Sequence, residues 1–190
     1  AMEIDSYNNK WISTIDQGVF KVNPQGKIEK IDFITSPVWQ IASDKDLVLF
    51  ASNYGLISYN YKKFSSFYIE EDNLPSNRIR GIHSIDDSTF LISTTEGGIL
   101  FDKAKNKTIN AFHPLNKAPN LRDFENDEKS FYAAAPSGIY KLIGDSIQRK
   151  QFDSGINCIE LDDKGSLWVG TESGLFIENK REFERFYLEK

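Results

Sequence analysis

The side chains that could do chemistry in this sequence are few and widely spaced. Two aspartate pairs, Asp86-Asp87 and Asp162-Asp163, offer carboxylate oxygens, but neither continues into the ladder of oxygen ligands that a calcium loop requires. Because aspartate also initiates turns through its own side chain, we expect both pairs to begin turns between strands. The acidic run at 70–72 is expected to be a solvated loop edge.

The two histidines and the single cysteine form no recognisable catalytic or metal-binding pattern. His83 and His113 are far apart and lack further ligands at zinc-site spacing. No histidine lies near Cys158 in the sequence to act as its base, so we expect a small buried apolar residue there. The glycine-flanked serine elbow and phosphate-binding glycine loops are also missing from the sequence. We therefore predict that the chain is not an enzyme and has no metal site and no cofactor.

Composition narrows the class of protein further. Of the 190 residues, 13% are aromatic, which favours strands over helices. The net charge of −5 argues against nucleic acid as the main partner, and no apolar run is long enough to insert into a membrane. The single cysteine excludes an internal disulfide framework, and no secretory signal peptide is recognisable.

A repeat of about forty residues organises the chain. Its clearest copy, at 161–177, indicates a strand, an Asp-Gly turn, a second strand, a short turn and a third strand. Each copy has a large apolar residue, a run of small residues and then a glycine followed by apolar residues. These glycines are Gly18, Gly55, Gly98, Gly138 and Gly174, which are 37, 43, 40 and 36 residues apart.

Burial explains why such units repeat. One four-stranded meander cannot cover both of its faces, whereas stacked meanders cover one another. We therefore predict an all-β single domain, 1–190, which is a β-propeller of five four-stranded antiparallel blades. The alternative is an arc or fragment of a larger, seven-bladed propeller. The predicted blades are 2–34, 36–71, 72–115, 119–152 and 153–190. Trp168 is predicted to be largely buried between the last two blades.

Two segments resemble the two-component regulator propeller repeat. They are 72–79, with the sequence Asp-Asn-Leu-Pro-Ser-Asn-Arg-Ile, and 162–171, with the sequence Asp-Asp-Lys-Gly-Ser-Leu-Trp-Val-Gly-Thr. The resemblance implies a piece of the periplasmic sensor region of a hybrid two-component regulator, of the kind found in gut Bacteroidetes. It also implies a periplasmic location. Members of this family usually carry about fourteen repeats in two seven-bladed propellers, whereas this chain carries five.

Candidate binding residues cluster on one predicted rim of the propeller. The connection between blades and the turn between the second and third strands of a blade emerge on the same rim, and loops on a rigid scaffold commonly carry binding residues. The candidates are Trp39, Asn53, Tyr54, Arg78, Glu96, Arg122 and Glu172. Arg78 and Arg122, with Trp39 near the central opening, could hold a carboxylate or sulfate. Alternatively, the arginines pair with rim carboxylates.

The sequence thus predicts a non-enzymatic ligand-sensing or binding module. The alternative is a protein–protein interaction scaffold in envelope or secretion assembly. The expected partner is an oligosaccharide or another protein, and the end blades could mediate self-association, because uncovered apolar flanks seldom persist on a soluble monomer.

Overall fold

The computed structural model describes residues 1–68, 72–109, 120–127, 129–143, 146–179 and 182–187. These residues contain twenty β-strands in five sheets of four, and each sheet is called a blade below. Blade one contains β1 (Met2–Ile4), β2 (Lys10–Ser13), β3 (Val19–Val22) and β4 (Ile28–Lys30). Blade two contains β5 (Val38–Asp44), β6 (Leu47–Ser52), β7 (Gly55–Tyr59) and β8 (Phe64–Phe67).

The other three blades have the same construction. Blade three contains β9 (Ile79–Ser84), β10 (Thr89–Thr94), β11 (Gly98–Asp102) and β12 (Lys107–Ile109). Blade four contains β13 (Asp123–Asn126), β14 (Phe131–Ala135), β15 (Gly138–Ile143) and β16 (Ser146–Gln151). Blade five contains β17 (Ile156–Leu161), β18 (Leu167–Thr171), β19 (Gly174–Asn179) and β20 (Glu182–Arg185).

Every blade is an antiparallel meander whose strands pair in chain order. Each blade falls within one predicted range, so the prediction of five four-stranded antiparallel blades is confirmed. The chain divides into two compact units, Ala1–Pro119 with blades one to three and Asn120–Lys190 with blades four and five. The predictions of a single domain and of a closed ring stay predictions.

Apolar side chains from adjacent blades form the cores of both units. In the first unit, Trp11 and Val19 of blade one pack with Phe50 of blade two, and Leu49 on the opposite face packs toward blade three. In the second unit, the main cluster joins blades four and five; it contains Tyr132, Ala134, Ile139, Ile156, Ile159, Leu167 and Val169. Burial between stacked sheets therefore stabilises the repeat, as its sequence pattern predicts.

Glycine is required where strands approach closely at a turn. Gly55 begins β7 with a φ of +120°, a conformation that L side chains rarely adopt. A Cβ at this position would lie 2.5 Å from the main-chain oxygen of Phe67 in the adjacent strand. The glycine that recurs in the repeat thus allows both the turn and the close pairing of the third and fourth strands at this position.

An aspartate six residues before a tryptophan forms the first turn of blades one and five. In blade five, Asp162 Oδ1 accepts the main-chain N–H groups of Lys164 and Ser166, and Asp162 Oδ2 accepts Trp168 Nε1–H at 3.0 Å. In blade one, Asp5 Oδ2 accepts Trp11 Nε1–H at 2.7 Å. These carboxylates therefore fix the turn and orient the indole ring.

Asp86 forms a comparable turn in blade three, where its Oδ1 accepts the N–H and the hydroxyl of Ser88. The expectation that Asp86 and Asp162 begin turns is thereby confirmed. Among the described residues, no group of three or more His, Cys, Asp or Glu side chains could hold a metal ion.

The structure corrects two expectations about burial. Trp168 is partly buried, but its ring contacts Phe186 of its own blade, 5.0 Å away between centroids, and the neighbours that pack between the last two blades are Leu167 and Val169. Trp11 is fully buried against blade two. Cys158 is exposed rather than buried; it lies on β17 opposite Gly170 of β18. His83 is half-buried on β9, and His113 lies outside the described residues.

No helix in the described residues has the length and apolar character needed to cross a membrane.

Candidate functional site

The first unit brings four of the candidate residues onto one rim. Asn53 and Tyr54 form the β6–β7 turn, and the N–H of the next residue, Gly55, donates to the main-chain oxygen of Asn77 at 2.8 Å. Glu96 lies in the β10–β11 turn, where Thr95 N–H donates to the main-chain oxygen of Arg78 at 3.1 Å. Both turns therefore contact the loop that connects blades two and three.

A cleft of about 440 Å³ opens beside Tyr54. Its lining combines aromatic or aliphatic side chains with hydroxyl groups, and none of the described residues that line it is charged. They are Phe33, Thr35, Ser36, Pro37, Ser52, Tyr54, Ile57, Ser66 and Tyr68. This rim cleft lies between the connection that follows blade one and the central turn of blade two.

The local structure holds the aromatic walls of the rim cleft open. The Tyr54 N–H donates to Ser52 Oγ at 3.0 Å, while the same hydroxyl donates to the main-chain oxygen of Gly55 at 2.7 Å. These bonds fix the turn and leave the Tyr54 side chain 69% exposed. On the other side of the cleft, the Phe33 ring stacks on Phe64 with 5.1 Å between centroids.

The rim cleft suits a polar ligand without charge. Its exposed rings offer apolar faces, and its serine and threonine hydroxyls can both donate and accept hydrogen bonds. In the adjoining turn, Asn53 Oδ1 is buried and has no hydrogen-bond partner among the described residues. An unpaired buried acceptor is costly, so this oxygen is available to a donor group that approaches the turn.

Of the seven candidates, Tyr54 is the one that lines the rim cleft among the described residues. Trp39 is the extra residue of a bulge in β5, where pairing passes from Val38 to Gln40, and the bulge leaves its ring half-exposed. In the second unit, Arg122 donates from Nη1 to the main-chain oxygen of Ile156 at 2.9 Å. Among the residues that the structure describes, Arg122 makes no ion pair with a carboxylate.

Two further candidates, Arg78 and Glu172, lie at exposed positions. Arg78 is exposed and has no ion pair among the described residues. Glu172 is exposed in the β18–β19 turn, and its N–H donates to the main-chain oxygen of Gly155 at 2.9 Å. Because Arg78 and Arg122 belong to different units, the joint anion site stays a prediction.

The sequence reasoning missed a second groove, of about 630 Å³, at the opposite ends of the strands in the first unit. Tyr7 and Tyr61 form one wall with their ring centroids 4.6 Å apart, and the Tyr7 hydroxyl donates to Asp46. The Tyr61 hydroxyl and Asn106 Oδ1 are buried, and neither makes a hydrogen bond of standard geometry with any residue that the structure describes. The sequence signal was the presence of tyrosines in turns that join the first and second, or the third and fourth, strands.

Charges around this groove are largely compensated inside the protein. The Lys103 ammonium, which is mostly buried, contacts the Asp44 carboxylate and donates to Ser84 Oγ at 2.8 Å. Burial, and next the Asp5 carboxylate, raise the pKa of the Tyr61 phenol well above its usual value. Tyr61 therefore stays protonated, and the groove offers hydroxyl groups rather than phenolate.

The stacked four-stranded meanders define the class: the chain has a β-propeller fold. Within it, residues 150–173 match the family described as two-component regulator propeller. The match confirms the predicted resemblance and falls on the connection into blade five and on its first two strands. No curated protein sequence matches the chain significantly.

Solved structures show the same fold at low sequence identity. The chain is 18% identical to the extracellular domain of BT4673 from B. thetaiotaomicron, which is described as a one-component system. The TM-score is 0.78, and the alignment covers 95% of this chain and 26% of the BT4673 domain. For the extracellular domain of the hybrid two-component system BT3049 from the same organism, the identity is 20%, the TM-score 0.73, and the coverage 96% and 29%. The chain thus spans less than a third of either domain.

The fold also occurs in an enzyme. Virginiamycin B lyase from Staphylococcus aureus is 12% identical to this chain, with a TM-score of 0.73 and coverage of 100% of this chain and 69% of the lyase. A β-propeller therefore does not decide between binding and catalysis, and the decision must come from the site.

Proposed function

We propose that this chain is a non-enzymatic ligand-binding module, and that it forms part of the extracytoplasmic sensor region of a two-component regulator. The rim cleft beside Tyr54 carries the proposal for binding. The repeat match at 150–173 and the similarity to extracellular domains of Bacteroides signalling proteins support the proposal for sensing and for location.

The proposed ligand of the rim cleft is an uncharged oligosaccharide. Sugar rings present apolar C–H faces to aromatic side chains, and sugar hydroxyls both donate and accept hydrogen bonds. The cleft offers the faces of Tyr54 and Phe33 together with serine and threonine hydroxyls, and it presents no charge that would need compensation.

Binding of a panel of oligosaccharides, screened on a glycan array and then measured by calorimetry, tests this function. We expect Tyr54→Ala to weaken binding about tenfold or more, because one aromatic face of the site is lost. Tyr187→Ala is the matched control, because Tyr187 is also a largely exposed tyrosine but lies in blade five's unit. A blank array, or equal losses in the two variants, would contradict oligosaccharide binding at this cleft.

The second candidate function is a protein–protein interaction scaffold. The long, exposed outer strand of blade four, β16, favours it. A blank glycan array combined with binding of a defined peptide to β16 would favour this function over ligand sensing.

A further inference from the structure

The outer strand of blade four differs from the outer strands of the other blades. β16 has six residues, whereas β4, β8, β12 and β20 have three or four. All six residues of β16 are exposed, and the strand lies at the edge of its sheet. An exposed edge of this length presents unpaired main-chain groups to which another strand can bind.

The pattern of hydrogen bonds between β15 and β16 shows which main-chain groups of β16 point outward. Phe152, directly after β16, donates its N–H to the main-chain oxygen of Ser137, directly before β15. In an antiparallel pair, inward-facing and outward-facing residues alternate. Counting back from Phe152, the residues at 150, 148 and 146 face β15. The main-chain groups of Ile147, Arg149 and Gln151 therefore point away from the sheet.

A groove of about 460 Å³ lies beside this edge, on the side of blade four that faces blade five. Buried Ile139, Leu167 and Tyr132 contribute to its lining, and partly exposed Ile143 and Phe183 lie nearer its mouth. Alternate side chains of a strand added to β16 would point to this side, because successive residues of a strand face opposite ways. The groove can thus accept an apolar side chain of the added strand.

The region is positively charged although the chain as a whole carries −5. Among the described residues, the groove is bordered by Lys141, Arg149 and Lys150 and by a single acid, Glu178. The Arg149 guanidinium lies over the Tyr140 ring at 5.5 Å and also donates to Ser137 Oγ at 3.3 Å, which places this charge on the other face of β16. Positive charge therefore flanks the edge on both faces.

The same charges disfavour a second copy of the chain as the occupant. Antiparallel pairing of β16 with itself would bring Arg149 and Lys150 of both copies into adjacent rows, and like charges across strands are destabilising. Lysine and arginine on an edge strand commonly prevent such self-pairing. The charges thus select against the chain itself and favour an acidic strand.

We propose that β16 is a docking edge for an extended acidic peptide segment of a partner protein. The segment adds to blade four as a fifth strand and bonds to the outward main-chain groups of Ile147, Arg149 and Gln151. Its carboxylates lie beside Arg149 on one face of the extended sheet, and its alternate, apolar side chains point to the groove on the other face, next to Lys150. This mode of recognition combines main-chain hydrogen bonds for affinity with side-chain contacts for specificity.

A labelled peptide of alternating glutamate and valine, about six residues long to match β16, is the probe, and fluorescence anisotropy with the full chain is the measurement. We expect saturable binding that weakens as salt is added, and about tenfold or weaker binding of the same peptide with lysine in place of glutamate. Equal binding of the two peptides would overturn the proposal.

Two variants with matched controls test the docking edge itself. The double variant Arg149→Glu/Lys150→Glu should lose binding about tenfold or more, while Lys62→Glu/Lys63→Glu, with the same change in net charge on exposed lysines of the other unit, should not. Ile147→Pro removes an outward N–H without breaking a bond to β15, so it should abolish binding, whereas Ile147→Ala should retain it.

Circular dichroism tests whether each variant remains folded. If Ile147→Pro does not fold, the paired charge reversals still decide the outcome. Three results would each overturn the proposal. The first is peptide binding by a folded Ile147→Pro variant, and the second is an equal loss of binding in the two double variants. The third is self-association of the chain that Ile147→Pro prevents.

Discussion

Replacement of Trp11 by alanine should destabilise the protein more than replacement of Trp168. The two indole rings occupy equivalent places after their aspartates, yet Trp11 is fully buried and Trp168 only partly. Trp11 packs edge-on against Phe50 and Tyr59 of blade two, with centroids 5.4 and 5.6 Å away. Trp168 packs edge-on against Phe186 of its own blade.

The expected magnitudes follow from these contacts. Removing a buried tryptophan side chain costs about 3–5 kcal/mol of unfolding free energy. Trp11→Ala should lie at the upper end, because the buried Asp5 carboxylate also loses the hydrogen bond from Nε1–H. Trp168→Ala should cost about half as much, roughly 1.5–3 kcal/mol, because part of its surface already contacts solvent. This revises the sequence-based expectation that Trp168 is largely buried between the last two blades.

Denaturant unfolding followed by far-ultraviolet circular dichroism measures both variants with one probe. Trp11→Phe is an informative control, since it retains most of the ring and removes the N–H donor to Asp5. Its cost combines the loss of the hydrogen bond to a charged acceptor, about 1.5–3 kcal/mol, with the cost of the smaller ring. A Trp168→Ala cost equal to or above that of Trp11→Ala would refute the reasoning from burial.

Two further predictions concern charged groups in the first unit. Burial of Asp5 opposes its ionisation, but the hydrogen bonds it accepts outweigh burial and lower its pKa. The Asp5 carboxylate therefore contributes its full stabilisation above the unfolded-state pKa, about 3.9, and this stabilisation is lost as the pH falls through the folded-state pKa. The Asp5→Asn variant should be less stable at pH 7, and its stability should depend less on pH in acid unfolding. Lys103→Met should lower the free energy of unfolding by about 2–4 kcal/mol, because Asp44 loses its cation in a mostly buried pair. The control Lys105→Met removes the cation of a more exposed pair with Asp102 and should lower it by less than about 1 kcal/mol. Thermal or denaturant unfolding measures both.

The sequence predicts the blades well because their pattern is local. Alternating apolar residues, turn glycines and aspartates recur along the chain, and the four strands of each blade fall within the range predicted for that blade. The first turn shows the limit of pattern reading. Asn8 stands with a φ of +58° where the fifth blade has Gly165 at +77°, so the equivalence of Asp5-Trp11 with Asp162-Trp168 is disguised in the sequence.

Burial at individual positions depends on contacts that the repeat pattern does not encode. Cys158 is an exposed cross-strand partner of Gly170, although its type and its place in a strand predict burial. Tyr61 and Asn106 lie in separate turns of two blades, and only the packing of those blades brings them to one groove. Sites of this kind require the relative placement of blades and cannot be obtained from one unit alone.

The polar side chains that recur in the repeat already make hydrogen bonds within the fold, and this limits where a ligand can bind. Both carboxylate oxygens of Asp162 accept hydrogen bonds from their own turn and from Trp168, so this motif has little capacity left for a ligand. Recognition must therefore depend on features by which the blades differ. The central turn of blade two presents Tyr54, whereas the corresponding turns of blades three and five present Glu96 and Glu172. The outer strand of blade four is likewise longer and more basic than the others. The rim cleft and the docking edge are both departures from the repeat, and each can change without loss of the fold.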